Sequence, residues 1–308
     1  MKEIIFNEWK GLFRNRIFIY LSSIFILGLI AVTWLGIIQN NKQIIAHDHA
    51  HQHIRGQWDE MKPSNPHGAA HFGTYAFKPN TILNSIDEGI SQVTGNVIRL
   101  EGHTQNDLLY SEASQSYFIS KFGKLKPSLL FQFFIPLFLI FIAFNTFTQE
   151  RENGRLKLIL IQGVGLQKLL LAKISSVWLV GLVLLISSIM THILFNSNKF
   201  DSDSFLRLVF LFSGYSLYYL IVTTLTVFLS NLFQNDTTSL SLTVAIWAIG
   251  TIFLPKIAGN AVEKLAPLPS RVAFKEAMSE DRSKGIDGHN PAGDREKDLE
   301  KSTLAQYK

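Results

Sequence analysis

The chain has 308 residues, no cysteine, a net charge of +5 at pH 7 and a hydrophobic fraction of 47%. The lack of cysteine excludes disulfides and thiolate metal sites, and so modest a charge on so apolar a chain does not indicate nucleic-acid binding. A bilayer core about 30 Å thick needs about 20 apolar residues per helix. The sequence therefore predicts an all-α polytopic membrane protein with five spans, at residues 17–38, 129–147, 174–195, 208–229 and 240–255.

Residues 1–38 form the first domain of this prediction, an amphipathic stretch followed by the first span. Residues 3–16 carry Ile4, Ile5, Trp9, Leu12 and Phe13 at helical spacing, with lysine and arginine between them. This pattern is typical of an interfacial helix that lies among the lipid headgroups. The alternative is a simple helical extension of the first span.

Residues 39–126 separate the first two spans and have the length of a small domain. They are rich in histidine, a residue whose imidazole binds zinc, copper and nickel. His67 and His71 would share a face if their segment is helical, and we expect a transition-metal site at these two residues and His103. We expect a second site at four histidines that would share a face of an extended strand: His47, His49, His51 and His53. The alternatives are a solvated tether for the 47–53 cluster and structural hydrogen bonding to Glu101 or Asp59 for His67 and His71.

A charged segment follows the second span, at residues 148–173 within a membrane region that covers 127–255. Glu150, Arg151 and Glu152 stand at the membrane exit, Gly154 follows, and Gly163 and Gly165 divide two amphipathic stretches. A short helix with charged ends that runs along the membrane is a suitable docking surface for a cytosolic protein. The alternative is a basic loop that only fixes topology and caps helices.

The distribution of lysine and arginine predicts the orientation, because these residues favour the cytoplasmic side. They cluster before the first span and between the second and third spans, which places the N-terminus inside and residues 39–126 outside. Five spans then leave the polar tail 256–308 outside. We also expect His192, near the end of the third span, to lie at the membrane interface.

Several of these stretches resemble the type-2 ABC transporter permeases. The resemblance rests on the N-terminal amphipathic helix, on the segment from Glu150 to Leu156 that reads E-R-E-N-G-R-L, and on Ala172-Lys173 at the start of the third span. Residues 65–73, 75–79, 101–106, 267–270 and 285–289 resemble a bacterial subfamily with a large extracytoplasmic domain between the first two spans. Members of that subfamily continue into a sixth span, so we expect the present sequence to be incomplete at its C-terminus.

The resemblance implies a permease of an ABC-2 type exporter in the bacterial inner membrane. Such a permease pairs with a second permease copy or paralogue and with ABC ATPase subunits, and it holds no cofactor because ATP binds to the partner subunit. The residues implied in coupling to the ATPase are Glu150, Arg151, Glu152 and Gly154 of the 148–173 segment. Consistent with this, the sequence has no phosphate-binding G-x-x-x-x-G-K-[ST] motif, and it lacks the G-x-S-x-G and H-E-x-x-H motifs of hydrolases. The alternative function is a membrane-anchored protein that binds or senses metal outside the cell without transport.

Overall fold

The computed structural model describes residues 1–79, 81–101, 125–196 and 201–284. In these residues five helices are long and apolar enough to cross a membrane, and they contain the five predicted apolar runs. The five spans are Arg16–Asp59, Pro127–Glu152, Leu166–Asn196, Ser202–Leu232 and Asp236–Leu265. The predicted all-α polytopic membrane architecture is confirmed.

The N-terminal helix is a separate element from the first span. Helix α1 covers Lys2–Arg14, and the chain then passes through Asn15 in an extended conformation (φ −83°, ψ 107°). The Asn15 side chain accepts a hydrogen bond from the N–H of Ile17 at 3.0 Å and so caps helix α2. A direct helical extension of the first span, the alternative for residues 3–16, is therefore wrong.

Helix α2, Arg16–Asp59, is longer than the predicted first span. Its 44 residues correspond to about 66 Å at 1.5 Å per residue, roughly twice the thickness of a bilayer core. The predicted domain boundary at residues 38 and 39 thus falls inside a continuous helix. Hydropathy decreases there, but no helix-breaking residue occurs before Pro63, so the helix continues as a polar extension.

The region between the first two spans is a mixture of short elements. Helix α3 (Pro66–Phe72) leads into strand β1 (Thr74–Phe77), and a 3-10 turn (Ile82–Ser85) and helix α4 (Ser91–Thr94) precede strand β2 (Val97–Leu100). The strands pair antiparallel, with Thr74 opposite Leu100 and Phe77 opposite Val97. Residues 102–124 of this region lie outside the described residues.

The second span begins with helix α5 (Pro127–Leu129), passes through a π-helical turn (Leu130–Phe134) and continues as α6 (Ile135–Ala143). A short turn leads to α7 (Thr148–Glu152), and α8 (Arg155–Ile161) follows it. The polar segment 148–173 therefore consists of two short helices and the first residues of the third span.

The third span, helix α9 (Leu166–Asn196), is the centre of the bundle. It packs against α1, α2, α6 and the fourth span, helix α10 (Ser202–Leu232). The helices approach closely at Gly181, where a Cβ atom would lie 2.9 Å from the Leu139 Cδ1 and 3.1 Å from the Tyr219 ring. The Asp201 carboxylate caps α10 by accepting from the Ser204 N–H at 2.9 Å, and hydrogen bonds from the side chain and backbone of Ser204 lower the pKa of Asp201.

The chain divides into two compact units, Met1–Trp247 and Ala248–Lys308. Nearly all of helix α11 (Asp236–Ala248) belongs to the first unit. The described part of the second unit contains a π-helical turn (Ile249–Phe253) and helices α12 (Leu254–Leu265) and α13 (Arg271–Lys284). The predicted boundary at residue 256 falls inside helix α12, which continues to Leu265. Residues 285–289 lie outside the described part of the chain.

Candidate functional site

A buried lysine connects three helices at the start of the third span. Lys173 is only 1% exposed, and its ammonium lies 2.8 Å from a Glu8 carboxylate oxygen and 2.9 Å from one of Glu150. Glu8 belongs to α1, Glu150 to α7 and Lys173 to α9. The Phe147 ring, with its centroid 5.3 Å from the ammonium, covers the same group. A single cation therefore bridges two acids that are far apart in sequence.

Arg151 extends these connections to the turn between the fourth and fifth spans. Its guanidinium donates to the Phe233 carbonyl at 2.7 Å and to the Asn231 carbonyl at 2.8 Å. Beside it, the Thr148 hydroxyl donates to the Asp236 carboxylate. Helix α7 is thus tied to α1, to α9 and to the 231–236 turn. We call the set Glu8, Glu150, Arg151 and Lys173 the charged end of the bundle.

The four residues of the predicted coupling set occupy different environments. Glu150 and Arg151 point into the bundle, as described above, whereas Glu152 is exposed. Gly154 has a positive φ of 69°, and Gly163 has one of 84°, so each allows the sharp turn that separates α8 from its neighbours. The structure therefore brings Glu150 and Arg151 together and leaves Glu152 on the surface.

Helix α8 presents an exposed surface on the side away from the bundle. Leu156 and Ile159 pack against the core, whereas Leu158 is 61% exposed and Ile161 is 81% exposed. The three-residue spacing of Leu158 and Ile161 places them on one face. Basic side chains also project from this part of the chain and are exposed: Arg155, Lys157 and Lys168. The result is an apolar and basic surface that is connected to the charged end by only a short stretch of chain.

The other end of the third span contacts the loop between the first two spans. Lys173 and His192 are separated by 19 residues of α9, or about 28 Å along the helix. His192 is fully buried, with its Nδ1 3.0 Å from the Ser85 hydroxyl of the 3-10 turn. The predicted position of His192 at the membrane interface stays a prediction, and the structure adds that the Ile82–Ser85 turn folds over its side chain.

The same turn lies directly against the first span. A Cβ atom at Gly36 would overlap the Ser85 carbonyl oxygen, so α2 and the turn approach each other at a residue without a side chain. Asn40 donates to the Thr81 carbonyl at 3.3 Å. Lys126, before the second span, forms a buried ion pair with Glu88 and also donates to the Asn84 carbonyl. We call this group, from Gly36 and Asn40 to Ser85, Glu88, Lys126 and His192, the loop end.

The predicted histidine cluster is helical, whereas an extended strand would be needed to place all four imidazoles on one face. His47, His49, His51 and His53 all belong to α2, where residues four apart share a face and residues two apart do not. The His47 ring packs against the Phe77 ring at 5.2 Å, and His53 lies 3.2 Å from the Gln57 amide nitrogen.

The second predicted metal site is only partly described. His67 and His71 lie one turn apart on α3, as their spacing indicates, and His103 lies outside the described residues. Within the ranges that the structure describes, no three His, Asp or Glu residues are close enough to hold a metal ion. The metal sites at His67, His71 and His103 and at the 47–53 cluster remain predictions.

Two members of the charged end were not identified as site residues from the sequence. Glu8 was treated only as part of an amphipathic helix, and Lys173 only as a topology signal and a motif residue. A detectable signal existed, because Lys173 begins an apolar run and ionisable residues in such runs usually pair inside the protein. The partner Glu8, 165 residues away, could not be read from the sequence.

The comparisons with known proteins give one match, which covers nearly the whole chain. The family model described as ABC-2 family transporter protein matches residues 3–278. No curated protein and no solved structure matches the chain significantly. The matched range includes α1, the charged end, the loop end and all five spans.

Proposed function

This chain belongs to the ABC-2 transporter family, and from that premise we propose that it couples ATP hydrolysis by a separate ABC ATPase to export across the bacterial inner membrane. Family membership makes it a multi-pass permease component of an ABC transporter. Beyond family membership, we propose that transport is outward, that the membrane is the bacterial inner membrane, and that coupling passes through helix α8. We also propose a second permease copy or paralogue as the partner that completes the transport path.

The observation that carries the proposal is the position of Lys173. The exposed surface of α8 is joined through Gly154 to α7, and α7 is joined to α1 and α9 by the Lys173 ion pairs. Arg151 connects the same helix to the 231–236 turn. A force applied to α8 by an ATPase therefore acts on three spans and on α1 without passing through a flexible loop.

The surface of α8 has the composition of a protein interface. Ile161 and Leu158 supply an apolar centre, and Arg155, Lys157 and Lys168 supply positive charge around it. Interfaces of this kind combine a buried apolar core with a polar rim. We therefore propose that an acidic-rimmed apolar groove of the ATPase receives α8, and that ATP is bound there and not in this chain.

The proposed orientation can be tested with single cysteines, because the sequence has none. The structure puts the two basic segments at the same end, since Glu8 of the first contacts Lys173 of the second. We propose that this end is cytosolic. In intact cells, a membrane-impermeant maleimide should label Ile90→Cys, at a site 72% exposed in the loop region, and should leave Lys157→Cys unlabelled until the cells are lysed. Labelling of Lys157→Cys in intact cells would invert the topology and remove the ATPase site.

The coupling itself can be divided into docking and transmission. We expect Ile161→Asp to prevent co-purification with the cognate ABC ATPase, because it places a charge at the centre of the apolar surface. Glu150→Gln should retain co-purification but reduce the ATPase activity stimulated by the permease in nanodiscs, because it weakens one of the two ion pairs of Lys173. Ile90→Asp is the matched control, since it changes an isoleucine of similar exposure at a distance from α8.

Two results would contradict this proposal, and a third would invalidate the assay. One is normal co-purification of Ile161→Asp with the ATPase, which would exclude α8 as the docking surface. Another is unchanged stimulation in Glu150→Gln, which would exclude transmission through Lys173. A third is loss of co-purification in Ile90→Asp as well, which would show that the assay reports general misfolding.

A further inference from the structure

A groove lies between α1 and the third span, beside the charged end. Its volume is about 480 Å³, within the range of about 300–1,000 Å³ that is usual for ligand pockets. Phe6, Trp9 and Phe13 of α1 and Leu179 of the third span form its apolar wall, and Lys2 and Lys10 also line it. An apolar wall with two cations and no acid in its described lining suits an amphiphile that carries negative charge.

Two contacts beside the groove fix α1 to the third span. The Trp9 indole N–H donates to the Ser176 carbonyl at 3.0 Å, three residues before Leu179. Glu8 contacts Lys173 at 2.8 Å, so α1 is fixed to the third span at two consecutive residues. Phe6 and Phe13 remain 61% and 56% exposed in spite of this docking. The space between the two helices is therefore a defined part of the fold.

We propose that this groove binds one anionic phospholipid, with an acyl chain along the apolar wall and the headgroup phosphate between Lys2 and Lys10. The spacing of Lys2, Phe6 and Lys10 is four residues in each step, so all three share a face of α1. The Lys10 ammonium lies 4.6 Å from the centre of the Phe6 ring, a cation–π contact that holds the charge over the groove.

The location of the groove favours a lipid over a soluble partner. Only Asn15 separates α1 from the first span, so α1 lies at the level where the chain enters the bilayer. Leu179 belongs to a spanning helix and lies six residues beyond Lys173. Lysines beside a membrane attract anionic headgroups, and an apolar groove that opens towards acyl chains can be filled from the bilayer. Charge complementarity therefore selects phosphatidylglycerol-type lipids over zwitterionic lipids of the same chain length.

The test uses the full chain, purified in detergent and titrated with dioleoyl phosphatidylglycerol or dioleoyl phosphatidylcholine. Native mass spectrometry then measures the occupancy of the first bound lipid. The wild-type chain should prefer phosphatidylglycerol. Lys2→Gln and Lys10→Gln should each reduce that preference about fivefold, because one lysine near an anionic surface contributes about a fivefold factor. The double variant should reduce the preference about thirtyfold.

Lys42→Gln is the matched control, because Lys42 is an exposed lysine beyond the other end of the first apolar run and does not line the groove. Leu179→Trp tests the apolar wall separately. The larger ring fills the groove, so retention of both lipids should fall while the charge preference of the remaining binding is unchanged. Higher salt should weaken phosphatidylglycerol binding in the wild-type chain, because exposed charges are screened.

Two results would overturn the proposal. The first is a lipid preference that is unchanged in the double lysine variant, or that falls as strongly in Lys42→Gln. The second is efficient disulfide formation between two copies of Phe6→Cys in membranes, which would show that another copy of this chain fills the groove. Neither result affects the coupling proposal, which depends on α8 and Lys173 and not on the groove.

Discussion

The two ends of the third span are built in different ways. At the charged end, Lys173 makes both ion pairs that join α9 to acids on α1 and α7. At the loop end, the contacts are distributed over a close approach at Gly36, a hydrogen bond between Ser85 and His192, and the Glu88–Lys126 ion pair. A single substitution can therefore remove both ion pairs among three helices at the charged end, but only part of the contact at the loop end.

This difference fits the direction in which a permease would be driven. The proposed docking surface on α8 adjoins the charged end, where a movement must reach several spans at once. The loop end instead fixes the inserted region with hydrogen bonds, backbone contact and the Glu88–Lys126 ion pair. The comparison predicts that substitutions at the charged end affect stability and coupling together, whereas substitutions at the loop end affect stability alone.

The largest effect should come from Lys173→Met. Removing the cation leaves Glu8 and Glu150 partly buried without their shared partner, and breaking a buried ion pair costs about 3–5 kcal/mol. The free energy of unfolding should fall by about that amount, and stimulation of the ATPase should be lost. Thermal unfolding in detergent and ATP hydrolysis in nanodiscs measure the two quantities.

Lys168→Met is the control for this substitution. Lys168 lies on the same helix, five residues earlier, but its side chain is exposed. We expect its unfolding temperature to match that of the wild-type chain. If Lys173→Met unfolds at the same temperature as Lys168→Met, the charged end does not depend on a single cation and the contrast between the two ends disappears.

At the loop end, we expect Gly36→Ala to lower the free energy of unfolding. The added Cβ overlaps the backbone oxygen of Ser85, which cannot move as a flexible side chain would, and overpacking of this kind costs about 1–3 kcal/mol. Gly28→Ala on the same helix has no atom within 4 Å of the new Cβ and should be neutral or slightly stabilising, because alanine favours helix. Both variants should stimulate the ATPase normally while folded.

Equal unfolding temperatures for Gly36→Ala and Gly28→Ala would show that the 3-10 turn is not seated against the first span. Loss of ATPase stimulation in folded Gly36→Ala would be more informative, since it would show that coupling extends to the loop end. In that case the two ends would differ in strength but not in function.

The sequence predicted the spans well because membrane thickness alone sets their length. The five apolar runs all fall inside helices of the structure. The ends of those helices were predicted less well. Residues 39–59 continue the helix of the apolar run before them. The decrease in hydropathy after residue 38 therefore did not indicate the end of α2.

The two ends of the bundle show why site residues are harder to predict than spans. Glu150 and Arg151 were selected as candidates from the sequence, but their contacts depend on Glu8, Lys173 and the 231–236 turn, which are brought near only by packing. His192 was assigned to the interface because its position in the span is near the boundary. Its burial results from the Ser85 turn, 107 residues earlier in the chain, and no local pattern reports such a contact.

The smallest of the predicted effects is that of Ser85→Ala, which tests whether the loop end is held by many weak contacts. The Ser85 hydroxyl lies 3.0 Å from His192 Nδ1 and donates to the Ile82 carbonyl at 2.7 Å. Because the net contribution of one such hydrogen bond is about 1 kcal/mol, the free energy of unfolding should fall by about 1 kcal/mol. Ser175→Ala, at a serine that bonds only within its own helix, is the control and should have little effect. A loss from Ser85→Ala as large as that from Lys173→Met would show that the loop end also depends on one residue, since a distributed set of contacts tolerates the removal of any single hydrogen bond.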